Sequence, residues 1–127
     1  MDDKLWVRGI RGAATVLENT PESIRGTAKN LLAVIARENA LEPAKIISII
    51  FSVTPDLDAA FPAEAARELG WVQVPLFCTA EIPVPGALTM CVRVLIHAYL
   101  ACDQDEVRHV YLGDAVFLRP DLNVKNG

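Results

Sequence analysis

Residues 87–100 read ALTMCVRVLIHAYL, an apolar run broken near its middle by Arg93. A guanidinium keeps its charge in a protein, its pKa lying above about 12. Buried alone it would be very costly, so the run demands a counter-charge. That partner is either a carboxylate of the protein or one that arrives from outside. With Arg93 and His97 inside it, the run is too short and too interrupted to span a bilayer. It reads as a buried helix of a soluble protein, over about 87–101. No acidic residue stands within four positions of Arg93 to pair with it along such a helix. The arginine is therefore expected to meet a ligand.

Outward from this run, the chain alternates strands and helices. Residues 5–12 (LWVRGIRG) read as a strand ending at a glycine. Thr20-Pro21 opens a helix, with Thr20 as N-cap and Pro21 at the first helical position. Ile24, Ala28, Leu31, Leu32 and Ile35 recur at helical spacing as one apolar stripe. Glu42-Pro43 breaks the chain, and 46–53 (IISIIFSV) is β-branched enough for a central strand. A turn at Thr54-Pro55-Asp56 precedes a short helix over 58–69, closed by Gly70. A third strand is expected over 72–78. Beyond the run, 107–112 and 115–118 read as two strands joined by a Gly113-Asp114 hairpin. The order predicts an α+β domain with a mixed sheet, one domain over 1–127. A fully apolar helix in so small a domain needs cover on every side, which a ring of identical subunits would supply.

The 127 residues, 52% hydrophobic and 22% charged, are globular values. A net charge of −4 argues against a nucleic-acid binder, which needs a basic face for phosphates. Cys78, Cys91 and Cys102 are odd in number and lack C-x-x-C spacing, so neither a disulfide framework nor a zinc ribbon is expected. The acidic start, MDDKLWVRG, has no apolar h-region, and a cytoplasmic protein without a membrane partner is the expectation.

Of the 12 basic residues, eight are arginines. Arginine is preferred where a planar fork must grip a carboxylate or phosphate. Arg11, Arg67, Arg93 and Arg119 fall at predicted element ends or in apolar surroundings. Glu81 follows a predicted strand, in a loop. His97 and His109 lack metal-ligand spacing, and nothing matches a phosphate-binding loop or a Ser-His-Asp set. Residue types alone lead to a small cytosolic domain that binds a carboxylate.

Five blocks occur together and in order: RGIRGA at 8–13, TPDLDAAFPAEAAR at 54–67, VPLFCTAE at 74–81, CVRV at 91–94 and RHVYLGDAVFLRPDL at 108–122. Together they resemble the monofunctional bacterial chorismate mutases of the trimeric α+β type, over about 7–122. The resemblance implies a mixed five-stranded sheet with one short and two longer helices, in a ferredoxin-like, pseudo-barrel homotrimer. It implies isomerisation of chorismate to prephenate, on the way to phenylalanine and tyrosine, without cofactor or metal. It further implies that Arg11 binds a substrate carboxylate and that Arg93 reaches a carboxylate and the ether oxygen of the breaking bond. Glu81 and Cys78 would hydrogen-bond the ring hydroxyl, with Phe77, Cys78, Thr79, Ala80 and Glu81 lining the pocket. Tyr111 would contact a carboxylate. Phe61, Ala63 and Arg67 would come from a neighbouring subunit, with Leu118 and Arg119 near the mouth.

Two positions depart from the family pattern. Glu64 stands where the family can carry a lysine, and Phe77 stands where a small hydroxyl residue is familiar. The chain also ends soon after Leu122, so a tail folding over the site would be short. Two rival readings remain at this point: a trimeric module that senses a metabolite acid, and an acid–base enzyme with Glu81 as general base.

Overall fold

The computed structural model describes residues 4–118. Helix α1 (Pro21–Asn39) starts as its sequence dictates: Thr20 Oγ1 accepts from the Ser23 backbone N–H at 3.1 Å, and Pro21 occupies the first turn. The expected stripe of Ile24, Ala28, Leu31, Leu32 and Ile35 is buried, joined by Val34. Fully buried leucine and isoleucine side chains stabilise by roughly 1.5–3 kcal/mol each. The helix ends at Ala40, which takes the left-handed conformation (φ 48°).

That stripe packs on a five-stranded mixed sheet. Its strands are β1 (Trp6–Thr15), β2 (Ile46–Val53), β3 (Leu76–Ala80), β4 (Cys91–Leu100) and β5 (Val110–Leu112), in the order β3-β2-β4-β1-β5. β4 pairs antiparallel with both β1 and β2, while β3 and β5 run parallel to β2 and β1 at the edges. The sheet is open within one chain. A five-residue helix, α2 (Glu64–Glu68), packs beside α1. Among the described residues no helix is long and apolar enough to cross a membrane.

The largest correction concerns 87–101, which is not a helix: residues 91–100 form β4 in the middle of the sheet. Its side chains alternate with period two. Val92, Val94, Ile96, Ala98 and Leu100 are buried on the face that α1 covers, whereas Arg93, Leu95, His97 and Tyr99 point to the other face. Leu95 extends the apolar run across both faces and hides the alternation. A short apolar run of this kind fits a central strand as well as a buried helix. The expected second long helix is therefore absent among the described residues.

Smaller shifts have local causes. β1 continues three residues past the glycine expected to end it. A Cβ at Gly12 would lie 2.6 Å from Ile35 Cδ1, 3.1 Å from Val94 Cγ2 and 3.3 Å from Leu31 Cδ1. The glycine is there to let α1 approach the sheet. Helix α2 is confined to 64–68 because Asn19 Oδ1 accepts from the backbone N–H groups of Asp58 and Ala59 (both 3.1 Å), holding that stretch as a loop. Gly70 does close it, at φ 87°. The third strand begins at Leu76 rather than 72, after Pro75, which has no N–H for a ladder. No hairpin forms at Gly113-Asp114. β5 is only three residues long, and 113–117 turn as a 3-10 segment whose Asp114 N–H donates to Thr15 Oγ1 at 3.1 Å.

Gly12→Ala is expected to overpack the contact between β1 and α1. Overpacking of this kind costs about 1–3 kcal/mol, so thermal unfolding should show a lowered Tm, whereas Gly26→Ala, which meets nothing within 4 Å inside α1, should hold or raise it.

Candidate active site

Strand register lines up one row of side chains on the face that α1 leaves open: Thr79, Ser52, Arg93, Ala13 and Tyr111, from β3, β2, β4, β1 and β5 in turn. The next row holds Phe77, Ile50, Leu95 and Arg11. Near one end of the open face the 3-10 segment at 113–117 folds over, and Ala13, Cys91, Tyr111 and Ala115 form a small apolar cluster separate from the main core. Beside it lies a cleft of about 460 Å³, lined by Arg11, Ser52, Glu81, Arg93, Tyr111 and Leu118 with apolar neighbours that include Ile50 and Leu95. That volume suits a small organic molecule.

Glu81 is the partner that Arg93 demanded. It follows β3 directly, and its backbone N–H donates to Val53 O at 2.9 Å, extending the β2–β3 ladder by one position. Its side chain turns back over the open face. There Oε2 accepts a short hydrogen bond from Ser52 Oγ and lies 3.8 Å from Arg93 Nε. The ion pair is partly wet, with the Arg93 side chain 47% exposed and Glu81 23%. Arg93 is thus paired within the chain, contrary to the expectation that only a ligand serves it. The separation is too long for a hydrogen bond, so the guanidinium donors are not consumed by Glu81.

Arg11 faces the same cleft and has no ion-pair partner among the described residues; its backbone N–H donates to His109 Nδ1 at 2.9 Å. Tyr111 is buried, and its hydroxyl has no hydrogen-bond partner among the described residues. Burial pushes the Cys91 thiol up from its ordinary value, against the pull of nearby Arg93, so it stays a neutral, inert group. The cleft therefore presents two cations, one carboxylate and a phenol in a largely apolar wall. Guanidinium forks of this kind suit carboxylates. For a metal, the described residues offer only Asp103, Asp105 and Glu106, exposed and outside the cleft, with Asp103 and Glu106 already engaged in a capping box.

The chain matches the family model of chorismate mutase type I over residues 7–122. It belongs to the chorismate mutase type I family. It is 50% identical over 117 residues to the chorismate mutase AroH of Thermus thermophilus, covering 91% of this chain and 96% of that one. With the chorismate mutase AroH of Bacillus subtilis it shares 46% identity over 121 residues, 94% and 95% of the two chains. Its fold superposes on a chorismate mutase from Clostridium thermocellum with a TM-score of 0.83 at 50% identity, over 84% of this chain and 96% of that one.

Of the residues expected at the site, Arg11, Glu81, Arg93, Tyr111 and Leu118 come together in the cleft. Cys78, Thr79 and Ala80 instead line a second hollow, of about 750 Å³, with Phe61, Arg25 and Glu64. Cys78 pairs in register with Phe51 and so points to the α1 face, away from Arg93. Phe77 is exposed on the open face, in neither hollow; Ala63 is buried, and Arg67 is exposed on α2. Arg119 lies outside the described residues. Glu64 is engaged by Arg25 at 3.5 Å, and Arg25 Nε also meets Glu68 at 3.2 Å, tying α2 to α1. Sequence reading passed over Ser52. Its signal was the pair of serines, Ser48 and Ser52, on one face of an otherwise apolar strand.

Arg93→Lys keeps a positive charge but loses the planar fork. Removing one preorganised donor to a developing anion typically costs on the order of 10²–10³ in rate, and kcat for the lysine variant is expected to fall by that factor. A near-normal kcat would make Arg93 a structural residue.

Proposed function

We infer that the chain isomerises chorismate to prephenate in this cleft, the step leading towards phenylalanine and tyrosine. The observation that carries the reading is Arg93 and Glu81 facing one small cleft with Arg11 beside them, unpaired among the described residues. Chorismate is a dianion, and its pericyclic rearrangement needs neither nucleophile nor proton relay. It needs the enolpyruvyl side chain held over the ring, an orientation effect. It also needs positive charge where negative charge grows on the ether oxygen. Arg11 and Tyr111 hold substrate carboxylates, Arg93 serves the ether oxygen and a carboxylate, and Glu81 accepts from the ring hydroxyl.

We further propose that the working unit is a cytoplasmic homotrimer in a pseudo-barrel arrangement, with sites between subunits. An apolar helix is no longer the reason, since 91–100 form a strand. The open sheet face replaces it: Val7, Phe77 and Tyr99 project there exposed, and Ile82 and Phe117 add apolar surface nearby. A neighbouring copy covering that face would bring its second hollow, with Phe61 and Cys78, against the charged cleft, with Ala63 and Arg67 of the adjoining α2 region close by. Leu118 would lie at the mouth. Three free cysteines accord with a reducing compartment.

Loss of chorismate absorbance on mixing with pure protein tests the activity; no loss would overturn it. Because no proton moves in the rearrangement, kcat should be nearly flat across neutral pH, with little solvent deuterium effect. Glu81→Gln should be damaged yet measurable, since an amide oxygen still accepts a hydrogen bond but more weakly than a carboxylate. A bell-shaped profile, a large solvent isotope effect and a dead glutamine variant would instead mark Glu81 as a general base. Mixing the inactive variants Arg93→Ala and Arg67→Ala should restore part of the activity if sites are shared. No recovery, or a monomer in light scattering, would count against shared sites.

A further inference from the structure

Ser52 stands beside the Arg93–Glu81 ion pair, on the strand between β4 and β3. On β2 it pairs in register with Arg93 of β4 on one side and with Thr79 of β3 on the other. Its hydroxyl carries a single proton, and that proton goes to Glu81 Oε2. The same oxygen is the one nearest Arg93 Nε, at 3.8 Å. Glu81 Oε1 has no hydrogen-bond partner among the described residues. A charge-assisted pair between a guanidinium and a carboxylate ordinarily closes to about 2.7–2.9 Å, often through two parallel hydrogen bonds. Here it stays nearly an ångström wider, while the oxygen that would close it is held by a serine.

We propose that Ser52 is a positioning residue: it holds Glu81 Oε2 and keeps the carboxylate from closing on Arg93. Two consequences follow for the reaction, and both rest on the mutase reading above. Oε1 is left free to accept from the substrate's ring hydroxyl. The Arg93 donors are left free for the ether oxygen, where charge develops in the transition state. Without the serine hydroxyl, the nearest unused donors for Oε2 are those of Arg93, and a two-pronged pair would spend them and draw the guanidinium from its station. Binding of the substrate carboxylates by Arg11 would be little disturbed. The loss should therefore fall on kcat rather than on KM.

The test uses the full chain and chorismate. Ser52→Ala should lower kcat by about tenfold to a hundredfold, the range that a small misplacement of a catalytic group produces, with KM within about threefold of the parent. Ser52→Thr keeps the hydroxyl on a residue suited to a strand and should restore most of the rate. In a Glu81→Ala background there is no carboxylate to hold, so adding Ser52→Ala should change the residual rate by less than about twofold. The idea is overturned if Ser52→Ala keeps the parent kcat, if threonine is as impaired as alanine, or if alanine costs the same factor with and without Glu81. These outcomes leave wild-type turnover intact, whereas an inactive wild-type protein would remove the functional reading itself.

Discussion

β4 is hydrogen-bonded along both edges, to β1 over its whole length and to β2 over most of it. This double pairing divides its side chains between two faces with no freedom to adjust. Val92, Val94, Ile96, Ala98 and Leu100 go to the α1 side, and Arg93 goes to the other. A one-residue slip would send Arg93 into the core and five apolar side chains out of it. The position of the guanidinium is therefore secured by the burial of its neighbours rather than by its own ion pair. An ion pair between partly exposed groups contributes little stability of its own.

The same register distributes the chemistry. Arg11, Ser52, Arg93 and Tyr111 come from four adjacent strands, and Glu81 from the residue that extends the fifth. Groups mounted on paired strands move little relative to one another, which favours a reaction accelerated by orientation and fixed charge. The cleft carries two cations against one carboxylate, an excess of positive charge that complements a dianion. Gly12 contributes from the opposite face, since only a residue without a side chain lets Ile35 and Leu31 seat against this part of the sheet.

Two features distinguish this chain at the edge of the site. Glu64 is drawn into a network with Arg25, Glu68 and Lys29 that fastens α2 to α1. Phe77 projects from the open face, where the family pattern has a small hydroxyl residue. With Ile50 and Leu95 it makes the β3, β2 and β4 part of the row next to Arg93 apolar, and Arg11 of β1 is the charged member of that row.

Features set by residues close in the chain were legible before any fold was known. The Thr20 cap, the α1 stripe, strand β2, the Gly70 stop and the α+β class depend on local patterns, and the five blocks that mark the family are local too. Arg11, Glu81, Arg93, Tyr111 and Leu118 were singled out on that basis and converge in the cleft. Residues 87–101 were misread because Leu95 fills an outward position with an apolar side chain, and only pairing with β1 and β2 tells a central strand from a buried helix. The hairpin at Gly113-Asp114 failed for a related reason: Thr15, almost a hundred residues earlier, takes the Asp114 N–H. The sequence alone thus determined the family, the α+β class and most of the charged residues that line the cleft. Tertiary structure decided that Glu81 is the partner of Arg93, that Ser52 holds its carboxylate and that Cys78 faces away, because those relations depend on the pairing of strands distant in the chain.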